Sequence, residues 1–264
     1  MHLSTKNRRD LRCCVLSVLT SMCVLFGTAC GSSSSSPATP QIIVAAASDL
    51  RPAFEDLAWQ FSEDTGINVT FAFGSSGQLR EQIINGAPFD VFASANADFV
   101  DEVISAGRAV AESKTNYAVG RIVLWSASTG SLPADISALQ EPQFTRIAIA
   151  NPAHAPYGLA AKQALQSAGI YDAVQTRLVF GENISDTKQI IDSGNTTVGI
   201  IALSLAIADG NDYVLIPDSL HEPLIQAAVV TGFGKQTSLA QQWLDYMSSP
   251  KGTEVMARYG FVAP

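Results

Sequence analysis

The chain has 264 residues, of which 47% are hydrophobic and 15% charged, and a formal net charge of -8. That is enough apolar material for a full core and suggests two lobes rather than one small domain. The acidic balance makes nucleic acid and anionic membrane surfaces poor partners, the more so beyond residue 29, where 12 basic face 23 acidic residues.

Residues 1–29 read as an export signal. A basic stretch holding Lys6, Arg8, Arg9 and Arg12 precedes an apolar run over residues 13–26 and the small residues Gly27-Thr28-Ala29. The run is short for a bilayer span, and Ser and Thr interrupt it. Cleavage before Cys30 suits either class of signal. The arrangement resembles a bacterial lipoprotein box with Cys30 as the lipidation site; Gly27 stands where Leu is usual, so ordinary secretion stays open. Cys13, Cys14 and Cys23 lie inside the signal, which leaves Cys30 as the one thiol of the mature chain, with no internal disulfide and no cysteine metal site. The Ser32–Ser36 run and Pro37-Ala38-Thr39-Pro40 complete a flexible linker over residues 30–40.

From Gln41 onward strand and helix signals alternate. Residues 42–46 form an apolar run of the kind a buried parallel strand shows, and residues 52–63 follow with Phe54, Leu57, Ala58 and Phe61 at helical spacing, stopped by Gly66. Residues 67–73 predict a second strand and residues 78–84 a helix closed by Asn85-Gly86. A short strand over 91–93 and a helix over 99–105, stopped by Gly107, come next. Residues 122–125, 147–150 and 198–201 read as strands, 159–168 as a helix, Val229 as the end of a return strand, and 237–248 and 250–258 as closing helices. This alternation argues for a parallel α/β architecture. Two long apolar stretches, residues 117–127 and 224–232, suit crossover strands at a hinge. Lobe one then holds residues 41–117 and 231–264, and lobe two residues 118–230.

Support for enzymatic chemistry is thin. His154 and His221, the two histidines beyond the signal, fall in no ligand spacing and read as solvent-exposed loop residues. Gly74-Ser75-Ser76-Gly77 lacks the Gly-Lys-Ser/Thr ending of a P-loop, and no G-x-S-x-G elbow occurs. Anion binding has more behind it. Four strand-to-helix junctions carry small or polar residues: Ser48-Asp49, Ser75-Ser76-Gly77, Pro156-Tyr157-Gly158, and Glu182-Asn183-Ile184-Ser185-Asp186. Helix starts offer unpaired N–H groups and a fraction of positive charge. In parallel α/β sheets they gather where ligands bind. Taken singly, Ser48, Ser76 and Ser185 also read as simple helix caps, and Tyr157 as a packing residue.

Ala45-Ala46-Ala47-Ser48, Gly74-Ser75-Ser76-Gly77 and Asn85-Gly86-Ala87-Pro88-Phe89-Asp90-Val91-Phe92-Ala93-Ser94-Ala95 occur in that order. Gly120-Arg121-Ile122-Val123-Leu124-Trp125-Ser126, Ala150-Asn151-Pro152, Ala155-Pro156-Tyr157-Gly158 and Arg258-Tyr259-Gly260-Phe261 follow. Over residues 41–264 this resembles the periplasmic molybdate-binding proteins of ABC-type molybdate transporters. The resemblance implies an α/β, two-lobed periplasmic-binding-protein fold of type II, with parallel-dominated sheets and a hinge of two crossover strands. It implies a non-enzymatic binding role: a monomer without cofactor whose ligand is molybdate or tungstate, with another tetrahedral oxyanion such as sulfate as the alternative. The partners it implies are an ABC transporter permease with its cytoplasmic ATPase, and a membrane only through a lipid anchor at Cys30. Residue by residue, the family's oxyanion contacts fall on Ser48, Ser76, Tyr157 and Ile184. In the branch with tyrosine before the glycine, Asp49 joins them as a backbone donor; since a carboxylate aimed at a dianion is strongly repulsive in a desolvated cleft, its side chain is expected to cap the helix or point away. Ala202 follows Gly199-Ile200-Ile201, where many members carry a further tyrosine.

Overall fold

The computed structural model describes residues 39–128 and 132–264. The expected signal, Cys30 and residues 30–38 of the expected linker lie outside the described residues. Among the described residues no helix is long and apolar enough to cross a membrane.

The first strand, β1 (Gln41–Ala47), is buried over its last four residues, as its unbroken apolar run requires. A 3₁₀ turn at Ser48–Leu50 leads into α1 (Arg51–Thr65), which Pro52 opens and Gly66, at φ 72°, closes by donating its N–H to the Ser62 carbonyl. Then come β2 (Asn68–Gly74), α2 (Ser76–Ile84), β3 (Val91–Ser94), α3 (Ala97–Ser105) and β4 (Thr115–Gly120). The middle of the chain holds β5 (Ile122–Trp125), β6 (Ile147–Ala150), α4 (Pro156–Ser167), α5 (Tyr171–Val174), β7 (Leu178–Gly181), α6 (Ile184–Asp192), β8 (Val198–Ala202), α7 (Leu203–Asp209) and β9 (Tyr213–Leu215). It ends with β10 (Leu224–Val230), α8 (Thr237–Met247) and α9 (Pro250–Arg258).

The strands form two mixed five-stranded sheets, ordered β2-β1-β3-β10-β4 and β7-β6-β8-β5-β9. In each, three neighbouring strands run parallel (β2, β1, β3 and β7, β6, β8) and the fourth pairs antiparallel. The two sheets thus repeat one strand plan, and the C-terminal ends of their parallel strands are the places for ligand contacts. Helices α8 and α9 return to the first sheet: buried Trp243 meets Phe54, Phe61 and Phe71 at ring separations of 5.5, 5.4 and 6.0 Å in edge-on geometry.

The expected strand over 117–127 is two strands. β4 pairs with β10 in the first sheet, whereas β5 pairs with β8 and β9 in the second. The apolar run is continuous because both halves are buried; the period of burial cannot tell one sheet from another. β10 pairs with β3 and β4, so the chain crosses to the second sheet after Gly120 and returns before Leu224. β7 and β9 escape the hydrophobic reading because they are edge strands, with Phe180, Tyr213 and Leu215 exposed.

Candidate functional site

Each parallel strand named in the sequence motifs delivers its junction to one cleft between the two sheets. Ser48 and Asp49 follow β1, Ser75 and Ser76 follow β2, Pro156 and Tyr157 open α4, and Ile184 opens α6. All five expected contacts, Ser48, Asp49, Ser76, Tyr157 and Ile184, line a tight cleft with a cavity volume of about 10 Å³, together with Ala47, Gly74, Ser75, Ala95, Ala155 and Pro156. That is below the roughly 300 Å³ at which pockets for organic ligands begin. The lining holds no Lys, Arg or His. What it offers to a ligand is hydroxyls and helix-start N–H groups.

Those donors have no acceptor inside their own elements. Ser76 and Ile184 are the first residues of α2 and α6, and Tyr157 is the second of α4, where an α-helix supplies no partner for an N–H. Neighbouring donors are consumed: Gly77 N–H by the His154 carbonyl at 3.0 Å, Asp186 N–H by the Asn183 side chain at 3.0 Å. Ser76 Oγ accepts from Ala95 N–H at 3.0 Å, so its own proton stays free to be donated. Ser48 Oγ donates to Asn183 Oδ1 at 3.0 Å and accepts from Ser185 N–H at 3.3 Å. Since Asn183 Oδ1 also caps α6 through Asp186, the Ser48 hydroxyl can rotate towards a ligand without orphaning it.

These contacts already join the two layers. Ser185 Oγ donates to the Ser48 carbonyl at 2.9 Å, Ser204 Oγ to the Asp49 carbonyl at 2.7 Å, and Gln78 Nε2 to Glu182 Oε2 at 3.0 Å. His154 is a correction to the sequence reading: it is partly buried, with Nδ1 2.9 Å from Ser75 Oγ and Nε2 3.8 Å from Glu182 Oε2. Gly77 makes the approach possible, because a Cβ there would lie 2.6 Å from the His154 carbonyl oxygen. Gly158 does the same for α4, where a Cβ would stand 2.1 Å from the Ala150 oxygen. Gly120 leaves room for the Tyr157 hydroxyl, which a Cβ would meet at 2.1 Å.

The Asp49 side chain is fully buried and turned towards β10, where its Oδ2 accepts from Gln226 Nε2 at 2.6 Å. Burial pushes the carboxyl up from its ordinary 3.8 to about 6, against the opposing hydrogen bonds of Gln226 and Tyr157. The Tyr157 hydroxyl accepts from the same amide at 3.2 Å, and burial followed by the Asp49 charge holds it, like Tyr117, well above the usual tyrosine range. The tyrosine hydroxyl is therefore placed against the crossover strands. Gln226 and Tyr117 went unread in the sequence, since a polar residue inside an apolar stretch carries no signal of what it faces.

A family model for bacterial extracellular solute-binding proteins matches residues 42–262. The molybdate-binding protein ModA of Azotobacter vinelandii is 39% identical over 225 residues, covering 84% of this chain and 89% of its own. Its counterpart in Rhodobacter capsulatus is 37% identical over 226 residues, covering 85% and 89%. The solved structure of the Azotobacter vinelandii periplasmic molybdate-binding protein superposes with a TM-score of 0.81 at 34% identity, covering 84% of this chain and 99% of that one.

Two outcomes follow from this geometry. Gly77→Ala pushes the Ser75–Gly77 turn off His154, and ligand affinity in a titration falls at least about tenfold, because a cleft held open pays part of its closure from binding energy; unchanged affinity contradicts the close approach. For Asp49, the folded value lies above the unfolded one, so its stability contribution is complete below 3.8 and lost as pH rises through about 6. Asp49→Asn is then more stable than the parent at pH 8, by on the order of 3 kcal/mol, and the gap closes towards pH 4 in melting curves. A gap independent of pH contradicts the assignment.

Proposed function

The chain belongs to the family of bacterial extracellular solute-binding proteins, and on that footing we propose that it captures molybdate, and tungstate with it, for delivery to an ABC transporter permease driven by a cytoplasmic ATPase. The observation that carries the reading is the cleft itself: small, free of charged cations, and ringed by Ser48, Asp49, Ser76, Tyr157 and Ile184. In this reading the backbone N–H groups of all five, with the hydroxyls of Ser48 and Ser76, surround a tetrahedral dianion. A fully deprotonated oxyanion only accepts hydrogen bonds, so a ring of donors suits it and disfavours protonated phosphate. Sulfate is rejected by size, since its shorter bonds leave donors unmet at about 1–3 kcal/mol each. The Tyr157 hydroxyl is held by Gln226, so the group it offers to the ion is its backbone N–H.

The wider assignment follows the same proposal. Residues 1–29 direct export, Cys30 carries a lipid that holds the protein outside the cytoplasmic membrane, and residues 30–40 tether a monomeric binding domain. The lobes follow the two sheets, residues 41–120 with 224–264 and residues 121–223, in place of the expected changes at 117 and 231, and they close over the ion about the crossings at Gly120 and Leu224.

Molybdate at millimolar excess raises the melting temperature of the protein, because a ligand that binds only the native state stabilises it. Ser76→Ala, which deletes one donor to a charged ligand, weakens molybdate binding roughly 10- to 100-fold in a calorimetric titration. No thermal shift with molybdate in the parent protein contradicts the proposal.

A further inference from the structure

Gln226 is fully buried on β10, and every polar group of its side chain is engaged. Its amide nitrogen donates to Asp49 Oδ2 at 2.6 Å and to the Tyr157 hydroxyl at 3.2 Å, and its carbonyl oxygen accepts from the Tyr117 hydroxyl at 3.0 Å. The partners come from the turn after β1, from α4 and from β4. The ladder between β10 and β4 slips by one residue beside it: Gln226 pairs with Ala118 and Ala227 with Asn116, leaving Tyr117 as the extra residue. A bulge of this kind re-aims side chains, and here it accompanies Tyr117 aimed at Gln226 and Gln226 aimed at Asp49 and Tyr157. The second Asp49 oxygen, Oδ1, is sealed from solvent without a hydrogen-bond partner.

We infer that Gln226 is a positioning residue for anion capture, holding the Asp49 carboxyl on the crossover-strand side of the cleft, and that the anion enters together with a proton that settles on Asp49. The inference rests on reading the cleft as an oxyanion site. A dianion brought beside a fully buried carboxylate meets repulsion that water does not screen. No cation in the cleft lining relieves it. The titratable groups that face Asp49 are Tyr117 and Tyr157, both kept neutral by burial. A proton from solvent is the remaining source of compensation, and the unpartnered Oδ1 is the atom free to take it. Burial has already moved this carboxyl close to neutrality, so the uptake costs little at pH 7. Gln226 acts in the opposite direction: its N–H stabilises the charged form at Oδ2 and keeps the group ionised until the anion arrives.

Calorimetric titration of the protein with molybdate at pH 7, in two buffers of different ionisation enthalpy, counts the protons taken up. The parent protein takes up a measurable fraction of one proton per anion. Asp49→Asn takes up none and binds with an affinity that no longer changes between pH 6 and 8. Gln226→Met, which keeps the volume and removes the amide, raises the Asp49 titration by on the order of one unit. Its uptake at pH 7 is smaller, and the pH at which its affinity declines moves up with it. A purely structural role for Gln226 moves neither quantity. Binding without proton uptake in the parent protein overturns the inference and leaves the oxyanion reading standing, as does uptake that persists in Asp49→Asn. A Gln226→Met pH profile that superimposes on the parent overturns the positioning role. Absence of molybdate binding in the parent overturns both readings.

Discussion

A doubly charged anion leaves water only if each hydrogen bond it gives up is replaced, and in the function proposed for this acidic chain the replacement comes from helix-start N–H groups and two serine hydroxyls of the cleft. No cationic side chain takes part in the lining. The rest of the structure serves that constraint. N–H groups at helix starts are aimed by the strands that precede them, so the donors are as rigid as β1, β2, β6 and β7. Placing donors from both sheets around one ion requires the layers to approach within hydrogen-bond distance, which Gly77 and Gly120 permit by having no Cβ.

The same requirement explains the polar residues buried in the middle of the molecule. Closing two layers over a dianion dehydrates the Asp49 carboxyl, and the Gln226–Tyr117–Tyr157 network supplies the hydrogen bonds that make its burial tolerable. The network spans the crossover strands, so the geometry of Asp49 and that of closure are linked. At the mouth, Ser75 with His154 and Gln78 with Glu182 provide a second, more solvent-exposed set of contacts.

The fold was largely legible in the sequence, because buried parallel strands write themselves as apolar runs and helices end at glycines such as Gly66 and Gly107. What failed was local. Residues 117–127 looked like one strand because the apolar residues resume directly after Arg121, although β4 and β5 lie in different sheets. The edge strands β7 and β9 lacked the pattern of buried ones. For the site, Ser48, Asp49, Ser76, Tyr157 and Ile184 were visible as junction residues in ordered motifs, and they share one cleft. Gln226 and the partners of His154 were not visible, since they act through contacts 69 to 177 residues away along the chain. A sequence reports what a position is made of, and long-range polar pairing leaves no periodicity.

The account turns on a donor ring sized for one oxyanion. Competing titrations of molybdate and sulfate into the same protein, at one pH and ionic strength, test this most directly. The account predicts that molybdate binds at least roughly 100-fold more tightly, the equivalent of about two unmet donors for sulfate. Equal affinities, or a preference for sulfate, would contradict it.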